Sequence, residues 1–421
     1  MTSESYGNKM RIAHVSPRYL PSQLRGGEQY VRILCEQLAR QEETTILTSN
    51  STDLEGNVGA IGNYYLRERS AIINNVNVIR FPVLPLLSYG LKKIERRFKF
   101  LAQDYVRFAP LDYARIVGWG PFTPAMCQYI SSSKYDFVHA TIWPTTTLYL
   151  SFRACKRAGI PFAVTPFYHY RLSSFTQSCV LRKMLPFCTS IIAVTEGERR
   201  ELLKIGAPPE RTFVIPLAID LPDLIGDGGR FRRKHGLEGK FIVLTSPWVA
   251  KGAVDVLLAI RNLSEKYRNL ALVTFGEPDK EYLSALTSAK HSDLTVVNLG
   301  WIYGQEKTDV FAGSDVLAMP STADAFGVVY LEAWGSGKPV IGAKDTAVEY
   351  IIKDEDDGFL VKVHDIQSLE TKLAALIDDP ARAIKMGQNG NRRIKTEFTP
   401  ANMTRLFRDA LTKSLELGIP H

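Results

Sequence analysis

Short apolar runs that read as buried strands alternate along this chain with segments of helical periodicity, and no other feature constrains the fold as tightly. Residues 10–16, MRIAHVS, form one such run. After a loop, Val31, Leu34 and Leu38 recur at three- and four-residue steps, the spacing of one helix face. The strand signal returns at 44–48, 137–139, 162–165 and 190–194, and a helix follows at 196–205. The rhythm breaks over 216–239, where nearby prolines and the turn Gly226-Asp227-Gly228-Gly229 mark a domain boundary. It resumes at 241–244, 271–275, 295–299, 316–319 and 339–341. Strands separated by helices make parallel sheets covered on both faces. The expected fold class is therefore α/β: two Rossmann-like, doubly wound parallel-sheet domains in tandem, facing each other across a cleft. Ligands of such sheets lie outside the carboxyl ends of the strands.

The length agrees. A chain of 421 residues is too long for one ordinary domain, and two of roughly 200 residues are the natural division. With 45% hydrophobic and 23% charged residues it can bury two full cores. Its apolar runs fall far short of the ~20 residues a membrane span needs. The opening MTSESYGNKM lacks the apolar core of a signal peptide, so a cytoplasmic location is expected. The five cysteines and seven histidines are scattered, with no CxxC, HxH or HExxH spacing. That pattern suits reduced thiols and offers no metal site. The net charge of +8 fits nucleic acid, an anionic membrane or phosphorylated small molecules equally well,. No nucleic-acid-binding signature accompanies it.

One stretch stands apart. Across 91–108, Leu91, Ile94, Phe98, Leu101, Tyr105 and Phe108 lie at helical steps, and Lys92, Lys93, Arg96, Arg97 and Lys99 fill most of the other face. An amphipathic helix packed on its own domain and a helix resting on an anionic membrane or an acceptor both satisfy that pattern.

The chemistry concentrates in residues 321–342, STADAFGVVYLEAWGSGKPVIG. A strand over 316–320 leads into a helix expected from about Phe326, where unpaired amides and the helix dipole suit phosphate oxygens. Gly327 admits a ligand close to the backbone. Glu332, able to accept two hydrogen bonds, suits a ribose diol, and Asp324 can reach whatever hangs from the phosphates. Against these readings stand plainer ones: an N-cap for Asp324 and a solvated helix position for Glu332. The run Asp354-Glu355-Asp356, with the outline of a metal-binding DxD, sits among five consecutive charged residues and reads as a solvated turn.

The two acids with seven residues between them, in this setting, resemble the paired-acid signature of retaining glycosyltransferases of the GT-B fold, family 4 in particular. The resemblance covers most of the chain. Gly313-Ser314-Asp315-Val316, Gly337-Lys338-Pro339-Val340 and Asp357-Gly358-Phe359-Leu360-Val361 each match an ordered family motif, as do residues 196–203 and 206–216. The family implies a Gly-Gly turn over the donor diphosphate, matched by Gly26-Gly27, and a basic Lys-Gly at the leaving phosphate, matched by Lys251-Gly252. His169 takes the place of a first-domain histidine beside the donor sugar. The implied catalytic residues are Asp324, Lys251 and His169. The implied donor-binding residues are Gly26, Gly27, Ser246, Phe326, Gly327, Val328 and Glu332. Departures are visible: Asp324 replaces a glutamate, and Thr245 and Ser246 stand where an arginine is usual.

The resemblance implies an acceptor-side domain over 1–215, a nucleotide-sugar-binding domain over 216–398, and a C-terminal helix, 399–421, returning to the first domain. It implies a retaining, metal-independent hexosyltransferase that uses a UDP- or GDP-sugar as co-substrate, without a cofactor. With the acceptor surface on the first domain, the basic, apolar stretch 91–108 points to a glycolipid, lipid-linked saccharide or surface-polysaccharide precursor as the expected acceptor, and a helix buried on its own domain to a soluble one. Attachment to the inner face of the cell membrane through 91–108 would follow, with no nucleic-acid partner. An epimerase or phosphorylase on the same scaffold, or a degenerate sugar- or lipid-binding protein, are the alternatives.

Overall fold

The computed structural model of the chain describes residues 9–20, 26–53, 64–84, 109–169, 178–220, 224–288 and 294–420. The amphipathic stretch 91–108 lies outside the described residues. The chain divides into two compact units, Met1–Pro216 with Met403–His421, and Leu217–Asn402.

The first unit is built on eight strands: β1 Arg11–Ser16, β2 Glu43–Ser49, β3 Ser70–Ile73, β4 Val76–Phe81, β5 Phe137–Thr141, β6 Phe162–Thr165, β7 Ser190–Ala193 and β8 Thr212–Val214. Their order in the sheet is β3-β4-β2-β1-β5-β6-β7-β8. Every pairing is parallel except the last at one edge, where β3 runs antiparallel to β4. The expected all-parallel sheet is corrected there. Asn74 and Asn75 turn the chain with φ of 48° and 64°, a left-handed conformation that asparagine tolerates. Ser70–Ile73 alternates between exposed and half-buried, so it lacks the continuous apolar run of the central strands. Val15, Val138, Val164 and Ile191 from those strands meet Leu148, Phe152 and Leu181 in one core. Each such side chain contributes about 1.5–3 kcal/mol on leaving water.

The second unit has six strands: β9 Phe241–Thr245, β10 Leu270–Thr274, β11 Thr295–Asn298, β12 Val316–Ala318, β13 Val340–Ala343 and β14 Gly358–Val361. They are ordered β11-β10-β9-β12-β13-β14 and all parallel. Val243, Leu272, Val316, Ile341 and Phe359 pack against Val256, Leu257 and Leu373. The stretch 216–239 is not all linker. Asp227 caps a helix, Gly228–His235, by accepting a hydrogen bond from the Arg230 amide, so the glycine-rich turn is a helix entry inside this unit.

Candidate active site

Each sheet changes direction beside its first strand. In the second unit β10 and β11 extend to one side of β9, and the chain then crosses to lay β12 on the other. In the first unit β2 and β5 flank β1 in the same way. At such switch points the loops leaving adjacent strands part, and ligands bind at the carboxyl ends. The segments after β9 and β12 carry Ser246, Lys251, Asp324, Phe326 and Gly327, with Val328 opening the next helix. Those after β1, β5 and β6 carry Gly26 and Gly27 at a helix start, Ile142, and His169.

Ser246 stands half-buried at the end of β9. Lys251 ends a short helical turn, Val249–Lys251, and Gly252 follows with φ 80°. A Cβ on Gly252 would lie 2.8 Å from the Pro320 carbonyl oxygen, so the glycine lets this loop sit flush against the end of β12. The Thr322 amide donates to the Ala250 carbonyl at 3.0 Å, and the Ser321 hydroxyl donates to the same oxygen at 3.2 Å. Two loops some seventy positions apart in sequence are thereby pinned together. Lys251 Nζ then lies 2.5 Å from Asp324 Oδ1, with the side chains 21% and 11% exposed.

The helix begins two residues later than expected, at Val328. Gly327 is its cap, with φ 92° and no side-chain cap hydrogen bond. A Cβ there would come within 2.6 Å of the Tyr330 ring. Tyr330 itself is locked, donating its hydroxyl to the Met319 carbonyl at 2.5 Å. Burial, and then the Asp324 charge, hold its phenol well above the ordinary value, so it stays a neutral donor. Asp324 is thus not the N-cap. Phe326, also buried, meets Phe398 edge-on at 6.2 Å between ring centroids.

Glu332 is not a solvated helix position either. It is only 4% exposed, on a helix that also buries Tyr330, Leu331 and Trp334. A carboxylate there requires a partner, and Lys307 supplies it: Nζ lies 2.5 Å from Glu332 Oε1. Nothing in the sequence pattern singled out Lys307, which belongs to the separate helix Gly304–Gly313. The two acids share one property. Asp324 Oδ2 and Glu332 Oε2 are buried and have no hydrogen-bond partner among the described residues. Buried acceptors in a folded protein are ordinarily satisfied. Each carboxylate therefore has one oxygen neutralised by lysine and a second, buried one whose acceptor capacity is unfilled among the described residues.

In the first unit, Gly26 opens the helix Gly26–Leu38. A Cβ on Gly27 would approach Ile142 Cδ1 to 3.1 Å and Phe167 Cε2 to 3.6 Å. Phe167 has φ 50° and lies two residues before half-buried His169, so Gly27 and the loop bearing His169 are neighbours through that ring. Two supports were not apparent in sequence. Glu28 pairs with Arg18 at 2.7 Å, both buried, in the first turn of the helix that Gly26 and Gly27 open, where a Gly-Gly turn was expected. Glu198, wholly buried, accepts the Tyr168 amide on one carboxylate oxygen and the Val194 amide on the other, each at 2.6 Å. Burial pushes its carboxyl up to about 7, against the pull of those two amides. The spacing Thr195-x-x-Glu198, a capping-box pattern, was the available signal. Thr195 caps as that pattern demands, but the glutamate reaches beyond the helix to hold the His169 loop.

Among the described residues no three His, Cys, Asp or Glu side chains are placed to hold a metal ion. Asp354-Glu355-Asp356 is a turn whose Glu355 pairs with Lys372 and Arg382.

The first half of the chain matches the glycosyl transferase 4-like domain over residues 25–218, and the second matches glycosyl transferases group 1 over residues 229–393. Two sheets of this topology define the GT-B class. Anabaena HepE in complex with UDP-glucose has that architecture and aligns at a TM-score of 0.70, covering 96% of this chain and 99% of its own at 17% identity. A D-inositol 3-phosphate glycosyltransferase of Corynebacterium efficiens is 31% identical over 319 residues, 68% of this chain and 74% of the relative. The UDP-Gal:alpha-D-GlcNAc-diphosphoundecaprenol alpha-1,3-galactosyltransferase of Escherichia coli is 24% identical over 368 residues, 77% of this chain and 94% of that protein. Against two other D-inositol 3-phosphate glycosyltransferases the chain spans about half their length, 52% and 50%. The chain belongs to the group 1 glycosyltransferases, family 4.

Proposed function

We propose that this chain transfers a hexose from a UDP- or GDP-sugar to a hydroxyl of a glycolipid, lipid-linked saccharide or surface-polysaccharide precursor, with retention of anomeric configuration. The observation that carries the reading is the pair of lysine-bound carboxylates beside the β9–β12 switch point, each with a second buried oxygen that lacks a partner among the described residues. Sugar hydroxyls can donate to such an oxygen. Glu332 takes the ribose diol and Asp324 the transferred sugar. Lys251 and the first amides of the helix Val328–Gly335 face the diphosphate and stabilise the charge that grows on it as the glycosidic bond breaks. The departing phosphate oxygen accepts the proton of the attacking hydroxyl on the same face. By the family resemblance, Gly26, Gly27 and His169 of the first unit are assigned to the diphosphate and the transferred sugar. Because these groups meet the diphosphate charge, the reaction is expected to run without a divalent ion.

The names of the relatives support this donor and acceptor chemistry. HepE binds UDP-glucose, and the Escherichia coli galactosyltransferase acts on a diphosphoundecaprenol-linked sugar. The basic, apolar stretch 91–108 suits a glycolipid acceptor met at an anionic membrane surface. No helix of the described residues is long and apolar enough to cross a membrane; the contact this reading assigns to 91–108 is one at the membrane surface. Co-sedimentation with anionic vesicles tests that contact, comparing wild type with a variant carrying glutamate at Lys92, Lys93, Arg96 and Arg97.

The deciding experiment is a panel of UDP- and GDP-sugars, with and without EDTA, followed by NMR of the product's anomeric proton. Transfer with retention that survives EDTA is the expected result. Phosphate-dependent sugar release would instead indicate a phosphorylase, acceptor-free isomerisation an epimerase, and no turnover of any donor a binding protein.

A further inference from the structure

Lys307 and Glu332 lie 25 positions apart, on the helices Gly304–Gly313 and Val328–Gly335, which pack against each other. Lys307 is 32% exposed along its side chain, while the glutamate it reaches is 5% exposed. Lys307 is the one salt-bridge partner of that carboxylate among the described residues. A glutamate side chain has three rotatable torsions, and a buried one left without a counter-charge would turn toward water or take up a proton. Anchored through Oε1, it presents Oε2 as a fixed acceptor, and that oxygen is the buried one lacking a partner. A fixed acceptor in a water-poor site discriminates strongly between a ligand that brings a hydroxyl to it and one that does not, because the second leaves it unsatisfied.

We propose that Lys307 is a positioning residue that holds Glu332 with Oε2 directed at a ribose hydroxyl of the donor nucleotide, and so makes the site select ribonucleoside diphosphates over their 2′-deoxy forms. This rests on the donor-site reading above. Lys307 does not touch the nucleotide in this arrangement; it acts through Glu332. The role therefore differs from that of Lys251, whose charge faces the diphosphate. A hydroxyl matched to a charged acceptor is worth about 1.5–3 kcal/mol, or on the order of 10- to 100-fold in affinity.

Titration calorimetry tests the assignment with UDP and GDP and with 2′-deoxy-UDP and 2′-deoxy-GDP, on wild type, Lys307→Met, Lys307→Arg and Glu332→Ala. Wild type should prefer the ribonucleotide it binds by at least about tenfold over its deoxy form. In Lys307→Met that preference should shrink to about two- to threefold, mostly through loss of ribonucleotide affinity, and Lys307→Arg should restore it. Thermal melting of each variant, together with retained deoxynucleotide binding, reports folding. A wild type indifferent to the 2′-hydroxyl overturns the proposal without any variant. Equal weakening of both nucleotides in Lys307→Met also overturns it and makes the lysine a direct phosphate contact. Unchanged binding by Lys307→Met overturns it as well. Failure of wild type to bind any of the four, or full binding by Glu332→Ala, overturns the donor-site reading itself.

Discussion

Lys251 Nζ and Asp324 Oδ1 meet at 2.5 Å across 73 positions of sequence. The contact exists because β9 and β12 are neighbours in the sheet and because Gly252 and Thr322 fasten their outgoing loops together. A charge that can serve a leaving phosphate and a carboxylate that can hold a sugar are thus set side by side.

Lys251→Ala removes that charge, and neither Thr245 nor Ser246 can replace it. The expected loss is about 2–4 kcal/mol in transition-state stabilisation, roughly 30- to 1,000-fold in kcat/KM. Steady-state kinetics with the best donor of the panel measures it. A kcat/KM within threefold of wild type would place the leaving-group charge elsewhere.

Asp324→Ala and Glu332→Ala should fail differently. Glu332→Ala is expected to weaken binding of the free nucleotide by on the order of tenfold or more. Asp324→Ala should leave nucleotide affinity near wild type and lower kcat, because its ligand is the transferred sugar. Calorimetry and turnover together separate the two, and identical affinities for both variants would remove the division of roles.

Gly327→Ala tests the helix entry. The substitution places a side chain at φ 92° and within 2.6 Å of a ring that cannot move without breaking its hydrogen bond to Met319. Backbone strain and overlap together should cost about 2–4 kcal/mol. A melting temperature equal to wild type would mean that the turn relaxes freely.

His14 and His139 give the first unit an acid sensitivity. Their Nδ1 atoms lie 3.0 Å apart, both rings are fully buried, and Phe407 packs against each. Burial lowers His14 from 6.5 to about 3, and burial together with the neighbouring ring lowers His139. Between those values the unfolded chain binds a proton that the folded chain refuses. The His14 contribution is therefore fully present above pH 6.5 and lost as pH falls toward 3, at up to about 1.4 kcal/mol per pH unit, and His139 acts in the same direction,. Denaturant unfolding across pH 4–7 should show a shallower slope in His14→Gln than in wild type, and parallel slopes would refute the assignment.

Glu198 acts with the opposite sign. Its carboxyl is raised from 4.5 to about 7, so the folded chain holds a proton that the unfolded chain releases. This group's contribution is greatest below pH 4.5 and declines as pH rises to about 7. Glu198→Gln keeps the size but turns an amide N–H toward a backbone N–H at Tyr168 or Val194. The expected cost is about 1–3 kcal/mol, with a raised KM for the donor if the His169 loop shifts. Unchanged stability and KM would show that the loop is held by other means.

Much of this was legible in the sequence, because the signals are local. Strand and helix periodicities depend on residues two to four positions apart, so the two α/β sheets could be read from them, whereas Lys251, Gly327 and the two acids were singled out with the help of the family resemblance. The edge strand Ser70–Ile73 escaped, being half-exposed and without an apolar run. The helix start moved from Phe326 to Val328 because the Gly327 backbone, and not an acidic cap, makes the turn. Tertiary structure alone decided which carboxylates would be buried and which cation would neutralise each. Glu332 looks like any helix glutamate until packing removes water from it, and Lys307 looks like any surface lysine until the sheet brings its helix alongside. Glu198 likewise passes for a cap residue until β6 and β7 present two amides to it. Burial and charge pairing between distant segments are properties of the packed chain, and only packing decides them.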